Sequence, residues 1–317
     1  MNSPAYPIPD RLNTFLVSLI TIIAVGLLCL ASHTSSWIAT LFVGVVFSYA
    51  MLTNYALLHD ATHDTLRSTT KANYWCGLIA GIWFPIPFSM IHYTHRSHHR
   101  FNRTDTEMFD CYYPTDNRWL KSIQWYSILL GLFWPLIPFG ALFIAITPSS
   151  LRLKLLSKAD PARGLAYLAT IPSGVVTRIR IEAVLIAIVF SVLTWVLQLR
   201  LIPVLICYAC FSFNWSTRQY VTHAFSDRDV IDGAFNLHHN RVMDWILLHG
   251  QWDLNHHRHP EVSWYYLPRL IDSEVASKSY FQQYFRQWRG PIPATTPAPE
   301  PLADDICHQR HASNASN

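Results

Sequence analysis

Apolar and polar positions fall in blocks along this chain. Uncharged runs cover residues 14–31 and 35–58, with only a short Ser-His-Thr link between them. Each is close to the roughly 20 residues that cross a bilayer, so the pair predicts a helical hairpin. Residues 74–91 are apolar but carry Pro85 and Pro87, which predicts an interfacial segment in place of an unbroken span. Residues 122–151 are uncharged for a longer stretch but contain Pro135, Pro138 and Pro148. Two further runs, 183–199 and 201–217, meet at Arg200 and predict a second, shorter hairpin. The N-terminal MNSPAYPIPDR enters the first run without an A-x-A site, so that span is expected to be retained.

Composition agrees with a membrane reading. Hydrophobic residues make up 51% of the 317 and charged residues 14%, well under the quarter or so of an ordinary soluble domain. A net charge of +4 is too small for a nucleic-acid partner. The six cysteines are scattered. Cys207 and Cys210 form a CxxC inside an apolar run and read as small residues on one helix face. From about residue 290 the chain is rich in Pro, Ala, Thr and Ser, which predicts a disordered tail over 290–317 behind a membrane domain of residues 1–289.

Candidate chemistry sits where apolar runs end. Sixteen histidines are present, and most are clustered. His59-x-x-x-His63 closes the first hairpin, and His95-x-x-His98-His99 follows the Pro-broken segment, with His92 one turn earlier. His256-His257 lies in the C-terminal part, with Asp253 and His249 upstream at helical spacing. His223 stands four residues after Gln219, just past the last run. His238 and His239 are supporting residues or further ligands, while His33, His308 and His311 are assigned no role. One zinc takes four ligands, so eight or more imidazoles point to two metals, whose identity imidazole alone leaves open. If all clusters serve one site they lie on one membrane side. Three apolar runs separate His99 from His256, so one of them fails to cross; the Pro-broken 122–151 is that run. Four spans result, and the basic residues Arg152, Lys154, Lys158, Arg163, Arg178 and Arg180 then lie on the cytoplasmic side.

HDATH at 59–63, HRSHH at 95–99 and the histidine pair of DLNHHRHP at 253–260 resemble the three histidine boxes of the membrane fatty acid desaturase family. The resemblance runs from about residue 14 to 267, and the spacing of the first box is that of acyl-lipid members. It implies an all-α integral membrane fold of four transmembrane helices in two hairpins, with interfacial helices and a cytoplasmic helical cap. It implies two non-haem irons held by His59, His63, His95, His98, His99, His223, His256 and His257, with O₂ as co-substrate. Gln219 stands where some members support a metal-bound water. Asp253 occupies a position usually filled by His or Gln; it is a ligand, a support to one, or a helix N-cap, and His249 is an alternative nitrogen. Asp60 and Asp64 are candidates for fixing imidazole tautomers. The activity implied is desaturation of a fatty acyl lipid in the bilayer. Because residues 250–268 also resemble the tail of carotenoid hydroxylases, hydroxylation or ketolation of a lipid or carotenoid is the alternative. No haem or dinucleotide motif is evident, so a separate donor of ferredoxin or cytochrome b5 type is expected. Arg96, Arg100, Arg103 and Lys121, with the loop at 152–180, form a candidate basic docking patch or an anionic-lipid contact. A metal transporter is disfavoured, because the apolar runs contain no ionisable residue.

Overall fold

The computed structural model describes residues 6–156, 168, 171–270 and 275–303. Helix α1 (Asp10–His33) packs on α2 (Trp37–Thr62) as a hairpin, and α8 (Ser173–Leu197) is followed directly by α9 (Leu201–Gln219), which packs chiefly on α2. Between them lie α3 (Thr70–Trp83), α4 (Phe88–Phe101), α5 (Arg118–Leu129), α6 (Phe133–Ile146) and α7 (Ser149–Leu156). Beyond α9 come the short helices α10 (Arg241–Ile246), α11 (Asp253–Arg258) and α12 (Tyr280–Gln287). Among the described residues the protein is helical apart from a two-residue parallel pairing of β1 (Cys111–Tyr112) with β2 (Ile292–Pro293) and two isolated bridges.

Three helices, α1, α2 and α8, are each long and apolar enough to cross a membrane. Two more candidates are bent pairs: α3–α4 turns through 98° and α5–α6 through 102°. The first break falls on the Pro-containing segment between Trp83 and Phe88, as the prolines predict. It also depends on Gly77, where a Cβ would come within 2.4 Å of the Phe88 ring. The second break falls on Gly131, at φ +87°, whose Cβ would lie 2.8 Å from the Phe213 backbone. Ser212 and Ser216 on α9 donate to the Gly131 carbonyl, and Ser216 Oγ also accepts from the Trp134 N–H. That clamp holds the corner against α9.

The core lies between α1, α2 and α9, and it widens toward the end of α2 that carries the first box. Trp37, Ile38, Leu41 and Phe42 are exposed on the outer half of α2, whereas Met51, Leu52, Leu57 and Leu58 are buried on its inner half. Cys207 and Cys210 face Gly44 at the crossing of α2 and α9, the small-residue contact expected of them.

Two expectations are corrected. The second hairpin was placed from residue 183, but α8 begins at Ser173 and takes in Arg178, Arg180 and Glu182. Two of these charges are satisfied inside the fold: Arg180 donates to the Ala145 carbonyl, and Glu182 is buried among hydroxyl and amide donors. Composition also predicts disorder from residue 290, yet residues 290–303 are bonded to the segment that holds Arg100, Asp110 and Tyr112. Ile292 N–H donates to the Asp110 carbonyl, Ala294 N–H to the Tyr112 carbonyl, and Leu302 pairs with Arg100 through main-chain and guanidinium bonds. Residues 304–317 lie outside the described residues, as do Lys158 and Arg163 of the basic loop.

Candidate metal centre

Each histidine cluster reaches the site from a different element. His59 lies one turn from the C-terminus of α2 and His63 is its C-cap, so the pair lies on one helix face. His95, His98 and His99 occupy the last turns of α4, and His256 and His257 lie within α11. His223 follows α9 in the turn after Tyr220.

The eight residues converge as two groups. His59, His63, His95, His99 and His256 bring one side-chain nitrogen each within 4.8 Å of all the others, and His98, His223 and His257 do the same. The split follows from helix geometry. Residues four apart share a face, so His59 with His63 and His95 with His99 enter the first group together. Consecutive residues point about 100° apart, so each His-His dipeptide divides: His99 and His256 go one way, His98 and His257 the other. The groups abut, with the His99 and His257 rings 4.4 Å apart between centroids.

In the first group His63 Nε2 lies 2.7 Å from His95 Nε2, and His99 Nε2 lies 3.2 Å from His95 Nε2 and 3.0 Å from His256 Nε2. Several imidazole nitrogens aimed at one point cannot all donate and accept among themselves, which is the arrangement of a ligand set. In the second group the far nitrogens of His98 and His223 have acceptors. His98 Nδ1 donates to the Glu107 carboxylate, and His223 Nδ1 donates to the Gly233 carbonyl 3.0 Å away. Both rings therefore present Nε2 inward. Asp253 joins this group. Its Oδ2 lies 3.0 Å from His223 Nε2, and it precedes His257 by one helical turn. The N-cap reading of Asp253 is corrected: Trp252 is the cap residue and α11 has no side-chain cap bond. Burial alone would raise the Asp253 carboxyl, but His223 and the histidines of α11 hold it well below the usual carboxylate range. Burial pushes His256 and His257 well below the usual imidazole value, giving the neutral rings that a metal requires.

The remaining candidates do not enter either group. His249 precedes α11 at φ +58°, packed between the rings of Trp245 and Trp264, because the helix starts only at Asp253. His238 is exposed, and exposed His239 pairs with Asp244. His92 packs on Phe88. Gln219 accepts from the Tyr55 hydroxyl at 3.1 Å, and the Tyr55 ring lies 6.1 Å from that of His59. Asp60 accepts from Ser263 Oγ and the Trp264 N–H, tying the end of α2 to the C-terminal segment, and Asp64 pairs with Arg96 at 2.5 Å.

A family model described as fatty acid desaturase matches residues 35–287, which contain every histidine of both groups. The chain belongs to the fatty acid desaturase family. A comparison with curated proteins returns no match.

Two carboxylates that sequence reasoning missed support this desaturase-family site. Glu107 holds His98 from a 3₁₀ turn fixed by the buried Arg103–Asp110 pair at 2.7 Å. Glu182 on α8 accepts from the Ser89 N–H at 2.8 Å, from Ser89 Oγ and from the Tyr74 hydroxyl. It satisfies the open N-terminus of α4, the helix that carries the second box. The sequence signal for Glu182 is an acid at the edge of an apolar run; Glu107, beside Asp105 and Asp110, gives none.

The basic docking patch is corrected in part, since Lys154, Arg178 and Arg180 of the loop are exposed but four of its other cations are engaged inside the fold. Arg103 is 1% exposed and bonds to Asp110, Tyr220 and the Ser226 carbonyl. Arg96 is paired with Asp64, Lys121 donates to the Met108 carbonyl, and Arg152 is buried. Arg96, Arg103, Lys121 and Arg152 therefore serve internal contacts and are not free to dock a partner.

Proposed function

We propose that this protein is a membrane-bound, O₂-dependent fatty acid desaturase of acyl-lipid type, with a two-iron centre held by the eight histidines and Asp253. The observation that carries the reading is the division of the boxes into two adjacent imidazole groups within a member of this family. The donor set fits the metal: neutral nitrogens dominate, and the rings of the second group are oriented by acceptors on their outer nitrogens. Two irons bound there supply the oxidising power to take hydrogen from an unactivated C–H bond.

The protein's own part is positioning. α2, α4 and α11 fix the ring directions, Glu107 and Gly233 fix two tautomers, and Glu182 and Asp60 anchor α4 and α2 to the scaffold. The topology we infer has α1, α2, α8 and α9 crossing the bilayer as two hairpins, with α5–α6 re-entrant and the histidines on the cytoplasmic side. Reduction of O₂ to water takes four electrons, two from the acyl chain and two from a separate donor of ferredoxin or cytochrome b5 type.

Expression in a host that supplies a reductant, followed by mass spectrometry of its lipids, tests the reading. Loss of two hydrogens from an acyl chain is the expected result. Gain of one oxygen would assign the hydroxylase or ketolase reaction instead, and zinc alone in an active preparation would refute the two-iron centre.

A further inference from the structure

Helix α12 is folded inside out for a helix bathed in water. Its buried positions are Gln283 and Gln287, 5% and 1% exposed, while Phe281 and Phe285 are 67% and 65% exposed. With Trp288, 40% exposed, these aromatics recur at i, i+4 and i+7 and form one narrow stripe. A third sector, formed by Gln282, Arg286 and Arg289, is polar and exposed. The inversion is fixed by specific bonds and is not a loose docking. Trp125 Nε1 on α5 donates to the Gln287 carbonyl at 2.8 Å, and the Tyr126 hydroxyl donates to the Trp288 carbonyl at 3.2 Å. At its other end the Tyr280 ring lies under the Arg218 guanidinium, at the terminus of α9.

The surroundings say what lies outside the stripe. α5, against which α12 is bonded, exposes Trp119, Leu120 and Ile123 and is the first half of a bent pair apolar enough to enter a membrane. α9, which meets Tyr280, exposes Phe213 on its outer side. The exposed aromatic stripe is thus carried by a helix bonded to a membrane-competent segment, and its polar sector holds Arg289 and Arg286, the latter stacked on Phe225.

We propose that α12 is an in-plane membrane anchor whose Phe281, Phe285 and Trp288 are immersed in the interfacial region of the same bilayer that the hairpins cross. Its partner is phospholipid, and its effect is to fix the cap, and with it the histidine site, at a set height over the acyl chains.

The test places p-benzoylphenylalanine at Phe281, at Phe285 or at the polar control Gln282 in the full-length chain, with irradiation in native membranes. The expected result is phospholipid adducts at 281 and 285, several-fold above those at 282. Covalent dimers of the chain, cross-links to another protein, or lipid adducts no more frequent than at 282 would each overturn the anchor. Trp288, replaced in the same way, provides an independent third position if either phenylalanine variant fails to give a monodisperse protein. Because the readout is a lipid adduct, it does not depend on the desaturase reading.

Discussion

The two histidine groups are built on different plans. The five-membered group is imidazole only, and its rings are set by the helices that carry them: two pairs at i, i+4 and His256 from α11. The three-membered group is held from outside, by Glu107 on His98, the Gly233 carbonyl on His223, and Asp253 beside both His223 and His257. One site is therefore specified by helix periodicity, and the other by long-range contacts that bring loops to it. The first should tolerate loop changes and fail on loss of a ring. The second should respond in steps to the loss of its supports.

The largest effect is expected from His99→Ala. It removes the ring whose nitrogen lies 3.0 Å from His256 and 3.2 Å from His95, so lipid oxidation should fall to background while the chain stays in the membrane. Metal content by mass spectrometry should drop with it; full metal content and residual turnover would show that the first group is not a ligand set. Asp253→Ala comes next. On the comparison above it weakens only the second group, with metal retention or activity down by the roughly 10- to 100-fold typical of lost metal support. Unchanged activity and metal content would refute the role assigned to this carboxylate. Glu107→Gln is milder, because the amide still accepts from His98 Nδ1 and only its charge is lost. About tenfold lower activity, with both irons retained, is expected from steady-state assays.

This contrast also explains what the sequence discloses. The box histidines are legible because they recur at one-turn spacing and as His-His pairs at the ends of apolar runs. Glu107 is not, because what brings it to His98 is a 3₁₀ turn stabilised by the nearby Arg103–Asp110 pair and by the Tyr220 hydroxyl, which reaches it from more than a hundred residues away. The clustered arginines mislead for a related reason: they read as a surface until Asp64 and Asp110 are found folded onto Arg96 and Arg103. The proline-rich 290–303 segment reads as tail because composition cannot see the Asp110 and Tyr112 carbonyls that accept its N–H groups. α12 does not read as a span because it is short and polar on average, although Phe281, Phe285 and Trp288 stand at helical spacing.

The smallest effect is expected at His249, and it is informative because sequence spacing puts this residue one turn from Asp253. In the folded chain that turn does not exist. His249 stands at φ +58° before α11, with Trp245 on one side and Trp264 on the other. Asparagine accepts a left-handed backbone more readily than most residues, so His249→Asn keeps the main chain and removes the ring. What is lost is packing against two indoles, a cost on the order of 1 kcal/mol that should appear as a small drop in melting temperature. Metal content, activity and the response to Asp253→Ala should all be those of the parent protein. A fall in iron content with His249→Asn would mean that the second group draws its fourth ligand from before α11, and the division between a helix-set and a support-set site would have to be redrawn around that nitrogen.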